Sequence, residues 1–269
     1  MTPADDHPSS PTREQLIDAH VIHEFDASLA VRNLRGPYGR AMARRYRRLL
    51  RTEVTGQRIL DVGCGFGQFS HLARQAGRDV VSLDVDEASI RIAEQAFGLD
   101  VRRESVYATS LPAGDRDSAV FFDSIQHLDL PQTVAELNRL GVREVVVYDS
   151  NEANPLLRRH RAAAGHVEAH ARSPQEIAAA FQAGGFAIER LRYENIFLLA
   201  VTGGFQRRPM PLLGRLPAWW ICGTDRVLSA VARPLGLART LAFRWVLVLR
   251  RPGPQSRPGV ALRRRRAGR

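Results

Sequence analysis

Short apolar runs alternate with helical patterns along most of the chain, and this alternation restricts the possible folds more than any other feature. The run RILDV at 58–62 and the run at 79–83 are each followed by a helical pattern, at 69–76 and 87–97. Further apolar runs lie at 99–104, 118–122, 143–148, 186–193 and 244–249, with helical patterns at 131–140 and 177–183. Such runs indicate buried strands, and the helices between them indicate βαβ units.

These units predict an α/β fold with a Rossmann-like doubly wound sheet and helices on both faces. We expect the sheet to be mostly parallel, with the last strand antiparallel. Right-handed crossovers place the carboxyl ends of parallel strands at one edge of the sheet, where such sheets bind ligands.

The sequence suggests three regions. Residues 1–55 are Arg-rich and helical in pattern, and we expect them to form a helical cap. Residues 56–250 contain the predicted sheet, with an insertion at about 196–243 that holds four prolines and the pair Trp219-Trp220. We expect the insertion to line a pocket for a bulky apolar acceptor or to pack on the sheet, through Trp219, Trp220, Ile221, Leu228 and Val231. Residues 251–269 are predicted to be a disordered basic tail.

The charge of the chain is concentrated at that tail. The formal net charge is +11, and eight arginines without an acid lie in the last twenty residues. Without them the balance is about +3, which is ordinary for a globular domain rather than a footprint for a polyanion. The first residues lack a signal-peptide pattern, and two cysteines are too few for a disulfide framework. We therefore expect a cytoplasmic protein without a membrane span.

A glycine-rich turn follows the first predicted strand. Asp61-Val62-Gly63-Cys64-Gly65-Phe66-Gly67 has the spacing GxGxG after an acid. Glycine lets the backbone turn sharply and approach a ligand without a side chain in the way. The dinucleotide pattern GxGxxG would need glycine at Gln68, and a phosphate loop would need GK[ST], so neither ligand is indicated.

This turn resembles motif I of the class I S-adenosylmethionine-dependent methyltransferases, and the resemblance extends over about 40–195. It includes Leu111-Pro112, the run 117–122 and Ile125-Gln126-His127-Leu128. The resemblance implies that S-adenosylmethionine is the cofactor and that Asp84, after the second strand, accepts hydrogen bonds from the ribose hydroxyls. The cofactor-binding residues implied are Asp61, Gly63, Cys64, Gly65, Gly67, Asp84, Val85, Tyr107, Ala108 and Asp123.

Two features depart from the family pattern. Val106-Tyr107-Ala108 stands where many members carry an acid that contacts adenine, so we expect Tyr107 to stack on the adenine or to offer its hydroxyl. Gly141-Val142 replaces the usual turn before the fifth strand.

The residues that would act on the acceptor are less sharply indicated. His127 matches a family histidine and is a candidate general base. His160, His166 and His170 follow the fifth strand, and we name His166 as the second catalytic candidate. Asp149 and Asn151 are interrupted by Ser150, so they do not form the adjacent Asp-Asn pair of metal-dependent catechol methyltransferases, and we expect no metal.

The resulting hypothesis is an enzyme that methylates an oxygen, or a nitrogen or carbon, of a small apolar metabolite. The alternatives are an RNA or protein methyltransferase that uses Arg32, Arg35 and the tail, and a non-catalytic Rossmann-like binding module. We expect a small-molecule acceptor and no specific nucleic-acid partner. The sequence leaves the oligomeric state open.

Overall fold

The computed structural model describes residues 27–163, 172–203 and 209–252. His166, His170 and the tail beyond Pro252 lie outside these residues, as does the first part of the predicted helical cap. Seven strands form one sheet in the order β3-β2-β1-β4-β5-β7-β6. The strands are β1 Arg58–Val62, β2 Asp79–Asp84, β3 Val101–Arg103, β4 Ser118–Phe122, β5 Glu144–Ser150, β6 Ala187–Glu194 and β7 Arg244–Arg250.

The pairing of the strands confirms the predicted fold class. β1 pairs in parallel with β2 and β4, and β5 continues the parallel series from β4. β7 runs antiparallel between β5 and β6. All seven predicted strands are present, within a few residues of their predicted limits.

Along the chain, the described helices precede β1 or lie between later strands. They are α1 Ala27–Arg35, α2 Pro37–Thr52, α3 Gln68–Gln75, α4 Glu87–Phe97, α5 Leu130–Arg139, α6 Pro155–Ala163, α7 Pro174–Ala183, α8 Leu198–Thr202, α9 Ala218–Ala232 and α10 Ala238–Leu241. Short 3-10 turns occur at Ile125–His127 and Leu213–Arg215. None of the helices in the described ranges is long and apolar enough to cross a membrane.

The alternating side chains of β5 divide the core into two layers. Val145 and Val147 pack with residues of α5 and α7 on one face of the sheet. Val146 and Tyr148 pack with residues of α2, α3 and α9 on the other face. Since successive side chains of a strand point to opposite faces, the near-continuous apolar run of β5 is what a strand buried on both sides requires.

Capping side chains set where several helices begin. Ser173 and Glu176 form the capping box that the sequence SPQE predicts, with both reciprocal hydrogen bonds present at the start of α7. Asp86 caps α4 by accepting from the Ser89 N–H at 2.9 Å, and Asp129 caps α5 by accepting from the Gln132 N–H at 2.9 Å. These helix starts lie at the carboxyl edge of the sheet.

The insertion differs from its predicted packing. α9 begins at Ala218, and of the five residues expected to line a pocket or to pack on the sheet only Ile221 is buried. Trp219 is 61% exposed and Val231 is 55% exposed. The reason is that α9 is attached through a polar contact, because the buried Asp225 on its inner side pairs with Arg45 of α2 at 2.6 Å.

Candidate functional site

The glycine turn between β1 and α3 adopts a left-handed backbone at all three predicted glycines. Their φ values are +65° at Gly63, +52° at Gly65 and +73° at Gly67. A Cβ at Gly63 would lie 2.6 Å from the Ser124 Cβ, and one at Gly67 would lie 2.3 Å from the Leu99 Cδ1. A Cβ at Gly65 would meet nothing within 4 Å. Packing therefore requires the outer two glycines, whereas Gly65 borders open space.

Asp84 joins the end of β2 to this turn. Its carboxylate accepts hydrogen bonds from the backbone N–H groups of Gly65 at 2.7 Å, Val85 at 2.8 Å and Asp86 at 2.9 Å. The Cys64 N–H donates to the Leu83 carbonyl at 2.9 Å, so the turn and the β2 end are held together twice. Burial raises the pKa of Asp84, and the backbone hydrogen bonds oppose that shift.

Asp61 is buried beneath the turn with only part of its hydrogen-bonding capacity used. Its Oδ2 accepts from the Ser70 hydroxyl at 2.6 Å, and Ser82 in turn donates to Ser70 at 2.8 Å. Its Oδ1 has no hydrogen-bond partner among the described residues, although Asp61 is only 1% exposed. Burial raises the pKa of Asp61 to about 7. A buried acceptor without a donor costs free energy, so this oxygen is suited to a ligand that brings one.

The carboxyl end of β4 lies beside Gly63. The Ser124 hydroxyl donates to the Val62 carbonyl at 2.6 Å and so links the carboxyl ends of β4 and β1. Asp123, which precedes it, has a φ of 60°, a strained conformation for a residue other than glycine. Its carboxylate forms an ion pair with Arg244 at the start of β7.

Two buried tyrosines surround Arg244. Tyr38 of α2 is 1% exposed and hydrogen-bonds to Arg244, and the guanidinium carbon of Arg244 lies 5.6 Å from the ring centroid of Tyr148. Burial raises the pKa of both tyrosines, which keeps their hydroxyls protonated. Sequence reasoning missed this cluster. The only feature of the sequence that could have pointed to this cluster is the arginine before the apolar run of β7.

The predicted adenine-side residues lie in the loop between β3 and β4, beside the start of α5. The Tyr107 hydroxyl accepts from the Asp129 N–H at 2.6 Å, so it already anchors the start of α5. The ring is half-buried, and burial raises the pKa of its hydroxyl. The Ala108 N–H donates to the Ser105 carbonyl at 3.3 Å.

His127 ends the 3-10 turn that follows Ser124, and it is half-buried. The Gln126 side chain fixes this turn by exchanging two hydrogen bonds with the Arg172 backbone, at 3.1 Å and 2.7 Å. His127 is thus placed on a fixed turn at the same edge as the glycine loop. The predicted second histidine, His166, lies outside the described residues.

The polar residues after β5 have structural roles. Asn151 is buried, and its side-chain amide donates to the carbonyls of Arg239 and Ala242 at 2.7 Å each. Asn154 caps α6 through the N–H groups of Leu156 and Leu157. Within the described ranges, no group of three His, Cys, Asp or Glu side chains has an arrangement that suits a metal ion.

Comparison with known proteins identifies the class to which this part of the chain belongs. Residues 60–146 match the family model described as a methyltransferase domain. Together with the glycine turn, the buried acids and the sheet order, the match confirms a class I S-adenosylmethionine-dependent methyltransferase domain in this part of the chain.

Curated relatives agree with this class. The chain is 34% identical over 87 residues to a ubiquinone biosynthesis O-methyltransferase of Bordetella avium. The aligned residues make up 30% of this chain and 36% of that protein. It is also 34% identical over 89 residues to a malonyl-[acyl-carrier protein] O-methyltransferase of Pectobacterium atrosepticum. Here the aligned residues make up 32% of this chain and 35% of that protein. The chain thus matches only about a third of the length of these relatives.

Solved structures share the fold over a longer part of the chain. A methyltransferase from Archaeoglobus fulgidus gives a TM-score of 0.55 at 17% identity and covers 78% of this chain and 93% of its own. A methyltransferase from Mesorhizobium loti gives a TM-score of 0.52 at 22% identity and covers 80% of this chain and 100% of its own. At these identities the likeness shows the fold alone.

Proposed function

We propose that this chain binds S-adenosylmethionine at the carboxyl edge of its sheet and transfers the methyl group to an oxygen of a small apolar metabolite. The observation that carries the proposal is the turn at Gly65, which has open space on its outer side and lies directly against the buried carboxylate of Asp84. The family match over 60–146 supports the choice of cofactor over a dinucleotide.

The residues of the edge fit the parts of this cofactor. Asp84 is proposed to accept from the ribose hydroxyls, because two neighbouring hydroxyl donors suit one ionised carboxylate. The unpartnered Oδ1 of Asp61 is proposed to accept from the cofactor ammonium. Val85, Cys64 and Ala108 would supply backbone contacts, and the ring of Tyr107 would lie against adenine.

Bound S-adenosylmethionine supplies a methyl group on a positively charged sulfur, so the protein has mainly to position an acceptor in line with it. The left-handed turn at Asp123 and the ion pair with Arg244 fix the end of β4 on the acceptor side. His127, on the next turn, is proposed to take the acceptor proton. His166 remains the second candidate.

An oxygen acceptor is favoured because the curated relatives named above are both O-methyltransferases. The names of these relatives refer to ubiquinone biosynthesis and to malonyl-[acyl-carrier protein], so a small or carrier-linked acid or phenol is the class of acceptor to test first.

The sharpest test replaces Gly65 by valine. A Cβ there would project into the space that the cofactor needs, so we expect Gly65→Val to abolish binding of S-adenosylhomocysteine in isothermal titration calorimetry. The matched control is Gly77→Val, because Gly77 also has positive φ (78°) and open space at its Cβ, but it lies between the end of α3 and the start of β2, at the opposite edge of the sheet. Both variants place valine at a left-handed φ.

Thermal unfolding should show similar losses of stability in the two variants, while only Gly65→Val loses the ligand. Equal affinity of Gly65→Val and the parent protein would contradict the proposed site. Loss of binding in Gly77→Val to the same degree would show that strain, not the ligand space, is responsible.

A further inference from the structure

Exposed apolar side chains are concentrated in one segment. Among the described residues, all but two of the exposed large apolar side chains lie between 209 and 241. They include Trp219 and Val227, each 61% exposed, and Leu212, which is 81% exposed. Single exposed apolar residues are ordinary, but a concentration of this kind marks a surface that contacts another apolar phase.

Helix α9 shows how this surface is built. Its buried side runs from Ile221 to Ala232 and faces the protein. Trp220, Val227 and Val231 lie on the other side at a spacing of 3.6 residues per turn, and all three are exposed. The outer side of α9 is therefore an apolar face, on which Trp220 is partly covered by the Phe197 ring, 6.1 Å away between centroids, while Val227 and Val231 are more exposed.

The charge of the segment is entirely positive at its surface. Residues 209–241 contain four arginines, all of them exposed: Arg215, Arg226, Arg233 and Arg239. The only acid in the segment is Asp225, which is buried and paired with Arg45 at 2.6 Å. The apolar face is thus bordered by cations that no acid of the segment neutralises.

A groove between α2 and α9 extends this basic border. Its volume is about 1100 Å³, and eight arginines contribute to its lining. Six of them are exposed: Arg40, Arg44, Arg47, Arg51, Arg226 and Arg233. The lining acids are Glu194 and Asp225, and both are already bound to Arg45, at 2.5 Å and 2.6 Å. The groove therefore favours anions.

The segment ends at the same edge as the proposed active site. Asn151 and Asn154, just after β5, donate to the carbonyls of Ala242 at 2.7 Å and Leu241 at 2.8 Å. Arg244, which follows at once, pairs with Asp123 at the end of β4. The apolar face and the carboxyl edge are consequently joined by short, fixed contacts.

We propose that residues 209–241, together with the arginines of the α2–α9 groove, dock this protein on the surface of an anionic lipid bilayer. An amphipathic helix with tryptophan and branched apolar residues on one side and arginine beside them lies in the plane of such an interface. Anionic headgroups attract the arginines, and the apolar face enters the acyl boundary. The orientation brings the carboxyl edge of the sheet to the bilayer.

The test uses the full-length protein and vesicles, with no cofactor present, so that its result does not depend on the proposed methyl transfer. We expect sedimentation with vesicles of phosphatidylcholine containing phosphatidylglycerol, weaker sedimentation with phosphatidylcholine alone, and a loss of the difference as salt is raised. Tryptophan emission should shift to shorter wavelength on binding, because Trp219 and Trp220 are exposed whereas Trp245 is buried.

Two pairs of variants separate the apolar and the charged contributions. Val227→Ser with Val231→Ser should weaken vesicle binding about tenfold or more, whereas Ile188→Ser, an apolar change at a 45% exposed residue of β6, should leave it unchanged. Arg226→Gln with Arg233→Gln should abolish the preference for phosphatidylglycerol, whereas Arg102→Gln with Arg103→Gln, the same charge change on β3 at the other end of the sheet, should not.

Three outcomes would overturn the proposal. One is no binding to anionic vesicles at low salt. Another is binding that the paired valine variants leave intact. The last is a parent protein that does not bind vesicles and instead uses this surface for another partner. That partner would be RNA, bound through Arg226 and Arg233, or a second copy of the chain, in a dimer that the valine variants dissociate in light scattering. In either of those cases the face belongs to a polyanion or to a second copy of the chain.

Discussion

Asp84 has more hydrogen bonds in this structure than its predicted role requires. An ionised carboxylate offers about four acceptor positions, and three are occupied by the N–H groups of Gly65, Val85 and Asp86. The sequence placed this acid at the end of β2, but the contact to Gly65 depends on the turn geometry and was not predicted. Asp84 therefore shapes the glycine turn as well as being the proposed ribose ligand.

Replacing Asp84 by asparagine tests both roles. The amide keeps the shape but removes the charge and turns one acceptor into a donor that faces backbone N–H groups. We expect a loss of about 2–3 kcal/mol in the binding free energy of S-adenosylhomocysteine, the range for charged hydrogen bonds. Calorimetry measures it. Asp86→Asn is the control, since Asp86 caps α4 and asparagine caps equally well. A loss below about 0.5 kcal/mol would transfer the ribose role to another acid.

Asp61 makes stability and ligand binding depend on pH in opposite directions. Its pKa rises from 3.8 to about 7 in the folded protein, mainly through burial. The unfolded chain therefore loses this proton first, and the free energy of unfolding should fall as pH rises from about 4 to about 7 and then level off. Cofactor affinity should instead rise through about pH 7, because only the ionised carboxylate pairs with the ammonium.

Urea unfolding and calorimetry across this pH range check both slopes, and Asp61→Asn should flatten both. Proton release on binding, measured in buffers of different ionisation enthalpy, should be present in the parent protein near pH 7 and absent in the variant. A parent protein whose affinity does not change between pH 6 and 8 would remove Asp61 from the cofactor site.

At the scale of elements, the sequence predicts well those features that depend only on residues close together in the chain. Apolar runs located every strand, and the SPQE capping box located α7, because periodicity and capping are local. The cluster of Tyr38, Tyr148 and Arg244 could not be found in this way. Its members come from α2, β5 and β7, and only the folded sheet brings them together. The exposed face of α9 was mispredicted because apolar composition alone does not show whether a side chain is buried or exposed.

Arg45 is the polar contact that attaches α2 to the second half of the chain. It is 6% exposed and binds Glu194 of β6 and Asp225 of α9. Asp225 also accepts from the Phe197 N–H at 2.9 Å. Removing the arginine would leave the buried Asp225 without its ion-pair partner and Glu194 with only Arg192 at 3.2 Å and Arg48 at 3.7 Å. Breaking a buried pair from one side costs more than the pair itself contributes.

We expect Arg45→Gln to lower the free energy of unfolding by about 3–5 kcal/mol. Arg44→Gln, an exposed neighbour on the same helix, should change it by less than about 0.5 kcal/mol. Urea titrations followed by far-UV circular dichroism give both values. Similar midpoints for the two variants would mean that water or movement of α9 compensates the carboxylates.

At the scale of the whole molecule, net charge is a poor guide to electrostatics. Outside the last twenty residues the formal charge is only about +3, which suggested an ordinary surface. The structure nevertheless collects eight arginines along one groove, while the two acids of its lining, Glu194 and Asp225, are buried in pairs with Arg45. Where charges lie, rather than their sum, decides whether a surface attracts anions.

The arginine-rich segment beyond Pro252 gives the final prediction. The chain is still anchored at Arg251, whose guanidinium lies 4.5 Å from the centroid of the Phe186 ring and donates to the Val142 carbonyl at 3.0 Å. Truncation after Pro252 therefore keeps every described contact of β7. We expect unchanged affinity for S-adenosylhomocysteine, unchanged turnover of a small acceptor, and loss of most of the salt-sensitive adhesion to nucleic acid.

Calorimetry, a turnover assay and retention on heparin at two salt concentrations measure these three quantities on the same preparations. The matched control replaces Arg263 to Arg266 by glutamine in the full-length chain, which removes charge but keeps length. If truncation abolishes turnover of a small acceptor while the glutamine variant retains it, the segment belongs to the active site. If the only acceptor found is an RNA whose methylation fails in both variants, the small-molecule proposal is wrong and an RNA methyltransferase replaces it, because the arginines would then be holding the substrate.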